Sequence, residues 1–275
     1  MLPSKHAHTV KIRVLPWLHR ILVWIVLSSS VPIGAAELVH AKDGSGIYGY
    51  KDTPVLPWCG YRVHDPDRPV PPRVDPGPFA GSPAPPSDAI VLFNGTNLAG
   101  FESNAWRVVD GVVEAGSGLL ATTNVFGSFQ LHLEWWVPPN FDGHLFDRGN
   151  NGVLLMGLYE IQIFDSWNEK IYPDGQCAAI YGQTPPLVNA SRPPGEWQSY
   201  DILFVPPEFS AGRLAKTARV TVFHNGVLVQ SDEAIHGETQ HRLLPAYTKK
   251  TSRGPLVFYG HNCPVRFRNL WLRPL

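Results

Sequence analysis

The densest group of residues able to do chemistry is Tyr159-Glu160-Ile161-Gln162-Ile163-Phe164-Asp165-Ser166. In a strand, Glu160 and Gln162 share one face, while Ile161 and Ile163 take the other and enter a core. Asp165 has the wrong parity to join them. A single β-bulge near Phe164 would restore it, and bulges occur beside active sites. Glu160, Gln162 and Asp165 would then line one surface, offering a base, an acid and an amide to orient hydroxyls. The plain alternative is a solvated strand face. Two carboxyls and an amide inside so apolar a strand weigh against it.

Polar groups elsewhere suit a sugar ligand. The turn-rich loop Arg148-Gly149-Asn150-Asn151-Gly152 precedes the strand, and the Asn150 amide both donates and accepts, as sugar hydroxyls require. Tyr181 and Trp197 offer rings for stacking. His261 stands at a strand end and can change charge near neutral pH. His241-Arg242 forms a second such loop position. Glu134 lies on the polar face of Phe129–Val137, opposite Leu131, Leu133 and Trp135. Arg266, in the last strand, points either toward substrate or onto an outer face.

The elements that must position these groups are strands. Residues 89–93 read as a strand closed by Asn94-Gly95. Residues 106–109 and 112–114 meet across Asp110-Gly111 as a hairpin. Further strands fall at 129–137, 200–205, 218–224, 227–230, 256–259 and 265–273. Val153–Phe164 reads as one apolar-rich stretch kinked at Gly157. No segment carries a long helical stripe, and 27 Pro with 25 Gly exclude a helix bundle. The expected fold is all-β: a two-sheet antiparallel jelly roll spanning residues 89–275, with its first and last strands paired.

Two segments precede this domain. Residues 1–36 have the order of a secretory signal: Lys5, Lys11, Arg13 and Arg20, then apolar Ile21–Leu27, then small residues ending Ala35-Ala36. The expectation is an exported protein, periplasmic or secreted. The whole chain balances 23 basic against 23 acidic residues. Removal of the signal leaves 19 against 23, which gives no charge argument for nucleic acid. Residues 37–88 form a Pro-rich arm and linker, with 11 prolines between Pro54 and Pro86. Its aromatic stretches, around Tyr50, Trp58, Tyr61 and His64, predict an arm laid over the domain. Residues 77–88 are the expected linker. Cys59, Cys177 and Cys263 allow at most one disulfide and show no zinc spacing.

Taken in order, several segments resemble the 3-keto-disaccharide hydrolase domain family. They are Phe93-Asn94-Gly95, Trp106-Arg107 with Asp110-Gly111, Phe129–Glu134, Gly149–Val153, Tyr159–Asp165, Gly195-Glu196-Trp197, Asn225-Gly226-Val227 and Val265–Asn269. The arm, with Gly49-Tyr50 and Val63-His64-Asp65, is similar to the one that precedes this domain in secreted relatives. The resemblance implies a concanavalin-like lectin/glucanase jelly roll. It also implies cleavage of glycosides already oxidised at ring carbon 3 by a separate sugar oxidoreductase. Glu-x-Gln-x-x-Asp is also similar to the catalytic strand of laminarinase-type glucanases. Its amide and shorter final acid do not suit their double-displacement mechanism.

On this resemblance Glu160 or Asp165 is the base at carbon 2, and His261 is the acid or the donor to the enolate. Glu134, Asn150, Gln162 and Arg266 bind hydroxyls, with Tyr181 or Trp197 stacking. Tyr259-Gly260 stands where relatives carry Gln-Asp, so one carboxyl before His261 is missing. No cofactor is required, and the carboxyls would permit a divalent cation without any spacing demanding one. The alternative is a non-catalytic, lectin-like module binding an oligosaccharide or glycoside on the same face.

Overall fold

The structure, a computed structural model, describes residues 37–102, 105–141, 146–167, 169–261 and 263–275. The expected export signal lies outside the described residues. The strands are β1 (Leu38–His40), β2 (Tyr48–Tyr50), β3 (Ile90–Phe93), β4 (Arg107–Val109), β5 (Val112–Glu114), β6 (Gly118–Phe126), β7 (Phe129–Trp136) and β8 (Asn151–Leu155). They continue with β9 (Tyr159–Ile163), β10 (Trp197–Val205), β11 (Glu208–Ser210), β12 (Arg213–Lys216), β13 (Ala218–His224), β14 (Val227–Ile235), β15 (Gly254–Gly260) and β16 (Arg266–Pro274).

Two antiparallel sheets face each other. The larger runs β14-β13-β10-β7-β16-β5-β4, and the smaller runs β6-β15-β8-β9. On its free side β16 is shared by two strands: Arg266 and Phe267 pair with β5, while Leu270 to Leu272 pair with β3. The first and last strands of the domain thus meet, which closes it. Alternation supplies the core. Leu131, Leu133 and Trp135 of β7 and Tyr200, Ile202 and Phe204 of β10 face Val153, Ile161, Ile163 and Phe258 of the smaller sheet, all fully buried. Each such aliphatic or aromatic side chain contributes ~1.5–3 kcal/mol by leaving water.

Three local features depart from the sequence reading. Val153–Phe164 is a hairpin rather than one kinked stretch. Met156 and Gly157 both take positive φ and reverse the chain between β8 and β9. β6 and the β11–β12 hairpin were not anticipated, because their mixed polar pattern lacks clean alternation. The expected bulge near Phe164 is absent: β8 and β9 pair without a shift and the chain leaves the sheet after Ile163. A bulge occurs instead in β16, where Asn269 takes φ 48 and the register to β7 shifts between Arg268 and Trp271. The three cysteines are free, with Cys177 and Cys263 buried.

The arm is tied down along its length. β1 and β2 form a hairpin, and Tyr48 bridges in parallel to Ile171. Tyr48 and Tyr50 share a small apolar cluster with Phe164, Ile171 and Tyr172. Further along, the His64 amide donates to Asp174 Oδ2 at 2.9 Å, and His64 Nδ1 lies 3.5 Å from Oδ1. Arg68 stands 3.8 Å from the same carboxylate. Arg73 bridges to Asn189, and its guanidinium stacks 3.8 Å from the Trp167 ring. Residues 81–88 are exposed, yet Pro83 O accepts from Asn269 and Asp88 pairs with Arg273 at 2.7 Å.

Asp174 is fully buried. Burial alone would raise its pKa, but His64 and Arg68 outweigh that and hold it below the usual carboxylate range. Removing one partner from such a group leaves a buried charge uncompensated. Asp174→Ala is therefore expected to cost roughly 3–5 kcal/mol at pH 7, measured by urea unfolding. A loss below about 1 kcal/mol would mean that the arm is not anchored by this carboxylate.

Candidate functional site

A cavity of about 420 Å³ lies against the face of the smaller sheet turned away from the core. Its position follows from parity. Tyr159, Ile161 and Ile163 enter the core, so Glu160 and Gln162 face outward, beside Leu154 of β8 and Tyr259 of β15. Segments from elsewhere wall it in: Phe146, Asp147 and Asn150 from the loop before β8, Ile171, Tyr172 and Tyr181 from the β9–β10 connection, and Thr239 and His241 from the β14–β15 connection. The arm adds Tyr50, and His261 follows β15.

Glu160 is the buried carboxyl of this cavity. It is 8% exposed, and among the described residues it makes no ion pair. Desolvation alone pushes its pKa up to about 8. Its backbone is clamped on both sides. The Glu160 amide donates to Thr239 Oγ1 at 3.0 Å, and its carbonyl accepts from the Tyr181 amide at 3.1 Å. The carboxyl itself lies over Gly152 in the neighbouring strand. A Cβ at Gly152 would come within 2.1 Å of Glu160 Oε1, so only glycine leaves room for it. Next to it, Gln162 is 2% exposed and its Oε1 is buried without a hydrogen-bond partner. A buried acceptor left open at a cavity wall is available to a ligand hydroxyl.

Rings make up much of the wall. Tyr172 and Tyr181 join hydroxyl to hydroxyl at 2.9 Å, and the Tyr181 hydroxyl lies 2.9 Å from His241 Nδ1. Burial, with His64 and Arg242 nearby, lowers the pKa of His241 to about 4, so it is neutral at physiological pH. Burial also lowers that of His261, against Asp147, which raises it. The Asn150 amide donates to Phe146 O at 2.7 Å, which fixes the loop that carries it.

Of the residues anticipated from sequence, the cavity gathers Glu160, Gln162, Asn150, Tyr181, His241 and His261. Asp165 does not line it. Without the bulge its carboxylate turns the other way, to Arg148 Nη2 at 3.3 Å and the Trp167 amide at 3.2 Å, and it clasps the flanking loops. Glu134, Trp197 and Arg266 lie on the outward face of the larger sheet. The β16 bulge brings Arg268 and Asn269 together onto Glu134, at 2.6 and 2.9 Å. Burial would raise the Glu134 pKa, but hydrogen bonds from His132, Ser82, Asn269 and Arg268 hold it down to about 2. Arg268 stacks 3.8 Å from Trp197, and Arg266 pairs with Glu114 at 3.2 Å. Tyr50, Tyr172, Thr239 and Tyr259 were not singled out. Only the tertiary fold brings them to β9, though the aromatic character of the arm was a signal for Tyr50. Among the described residues no three His, Cys, Asp or Glu side chains gather to hold a metal ion.

Fold and site together define a jelly-roll sandwich of the lectin and glucanase type with a carboxyl-floored cavity on its smaller sheet. Residues 88–273 match the 3-keto-alpha-glucoside-1,2-lyase-like domain, and the chain belongs to that family. A candidate glycosyl hydrolase of Parabacteroides distasonis ATCC 8503 is 40% identical with a TM-score of 0.68, over 81% of this chain and 100% of that one. That coverage exceeds the matched domain, so the similarity reaches beyond residues 88–273. Two further proteins of that organism share the fold. They are 20% and 22% identical, with TM-scores of 0.50 and 0.52, over 68% of this chain and 94% and 99% of theirs. No curated protein matches the chain.

The burial of Glu160 has a measurable consequence. The folded state keeps its proton up to about pH 8, whereas an unfolded glutamate releases it near 4.5. Between those values the folded state binds more protons, so this residue's contribution to stability is present at low pH and is lost as pH rises. Glu160→Gln removes the titration. The variant is expected to match the wild type near pH 4.5 and to exceed it by up to roughly 4 kcal/mol near pH 8, in denaturation series across pH. A stability difference that does not change with pH would contradict the buried, unpaired carboxyl.

Proposed function

We propose that this protein cleaves glycosides bearing a ketone at ring carbon 3, by elimination. One observation carries the reading: a buried carboxyl without a counter-charge, at the floor of a ring-walled cavity of sugar-binding size. A ketone at carbon 3 acidifies the hydrogen on carbon 2. Glu160, once ionised, takes that proton, and the C–H electron pair forms the enolate. The enolate collapses, re-forming the carbonyl and a double bond between carbons 1 and 2. The bond from carbon 1 to the aglycone oxygen breaks, and that oxygen leaves with the pair and takes a proton. Water added across the double bond would complete a net hydrolysis.

A raised pKa makes the Glu160 carboxylate a stronger base than an exposed one, which suits abstraction from carbon. His261 donates to a substrate oxygen, Gln162 and Asn150 orient hydroxyls, and Tyr181 stacks on the ring. Because the substrate must already be oxidised, a sugar oxidoreductase works upstream. The N-terminal basic, apolar and small-residue order supports action outside the cytoplasm. A second reading, a glycan-binding module without chemistry, draws on the same ring wall and the open Gln162 acceptor.

The two readings part on aglycone release from a 3-keto-glycoside beside its unoxidised parent. Release from the oxidised substrate alone is expected. Binding without release from either would leave the lectin-like reading standing. Glu160→Gln should lower kcat by about 10²–10⁴. The wild-type rate should rise with pH and level off above about 8, as the base ionises. Gly152→Ala should lower kcat comparably while the protein stays folded by circular dichroism, because the new methyl displaces the carboxyl. Unchanged turnover in both variants would remove Glu160 from the chemistry.

A further inference from the structure

We propose that His241 is the group that donates a hydrogen bond to the carbon-3 oxygen as it becomes an enolate, and that the arm and Tyr181 position it. This rests on the elimination reading above. The geometry begins at the base. The two backbone groups of Glu160 are held by Thr239 and Tyr181, and these are the two segments that carry and orient His241. His241 follows Thr239 by two residues, lines the same cavity and is exposed at its opening.

In this proposal the ring takes one of its two neutral tautomers. Its Nδ1 faces the Tyr181 hydroxyl, which in turn faces the Tyr172 hydroxyl in the buried interior. With Tyr172 donating to Tyr181, and Tyr181 donating to Nδ1, the proton of the neutral imidazole sits on Nε2. A neutral imidazole N–H is a suitable partner for a developing oxyanion. It stabilises charge without competing for the base's proton, and no proton transfer along the tyrosines is needed.

The arm holds this segment from the other side. Asp52 pairs with Arg242, whose guanidinium lies 4.8 Å from the centre of the Tyr50 ring. Tyr50 meets the His241 ring edge-on at 5.7 Å. His64, fixed by Asp174, packs 5.1 Å from His241 and accepts from the Arg242 amide through Nε2 at 3.4 Å. Tyr50, Asp52 and His64 all precede the matched domain at 88–273, so the seat of His241 is built by the arm.

The test separates proton abstraction from bond cleavage. A 3-keto-1,5-anhydrohexitol has no aglycone, so the carbon-2 hydrogen exchanging into deuterated water, followed by NMR, reads the enolate step alone. His241→Phe keeps a ring against Tyr50 but removes the donor. It should slow exchange about 10²–10³-fold with KM within threefold of wild type. His241→Gln returns an amide N–H and should recover at least tenfold over His241→Phe. Tyr181→Phe, a change at a positioning residue, should lower the exchange kcat without abolishing it. Wild-type exchange in His241→Phe, equal rates in the Phe and Gln variants, or a change confined to KM would each overturn the donor role and leave the Glu160 assignment intact. A wild-type protein that exchanges nothing would overturn the elimination reading, and this proposal with it.

Discussion

A β-strand sends alternate side chains to opposite faces, and in β9 that alternation separates what holds the protein together from what it works with. Tyr159, Ile161 and Ile163 fill the sandwich, while Glu160 and Gln162 are thereby forced outward. Outward would ordinarily mean solvated. Here the loop before β8, the β9–β10 and β14–β15 connections and the arm fold over that face and shield it from solvent. The desolvation of Glu160 is a consequence of this covering. Gly152 is its condition, because a side chain there would occupy the space of the carboxyl.

The covering is held by a different carboxylate. Asp174 is as buried as Glu160, yet its pKa is lowered, because the arm brings His64 and Arg68 to it. One compensated charge therefore docks the arm, and the docked arm helps to keep another carboxyl unpaired and protonated. The arm's prolines fit this role. A segment that cannot build a regular ladder must attach at points, and from Pro54 onward it does so through the single bridge at Arg73 and the His64 amide.

How far the site could be read from sequence follows from the range of the signals. Period-two patterning is local, and it placed Glu160 and Gln162 correctly and found most strands of both sheets. It could not place Asp165, whose face depends on whether a bulge forms. The strand ends at Ile163 instead, and the bulge lies in β16. Nor could it say which polar face belongs to which sheet. Glu134, Trp197 and Arg266 carry the same pattern as β9 but belong to the larger sheet. Tyr50, Tyr172, Thr239 and Tyr259 come from four distant segments, and no spacing along the chain relates them.

The two polar faces differ in how their carboxyls are compensated. Glu134 and Glu160 are both carboxyls on the outward face of a sheet, and both are shielded from solvent. Glu134 meets Arg268, Asn269 and His132, and is held at about 2. Glu160 meets no cation among the described residues and is pushed to about 8. A carboxyl already paired has little tendency to take up a proton, so the first face is a closed network that ties strands together. A carboxyl left unpaired in a shielded cavity is costly to ionise and, once ionised, strongly basic. That imbalance lowers the stability of the folded chain above the ordinary glutamate range. It is the physical argument for proposing chemistry on the smaller sheet rather than on the larger one.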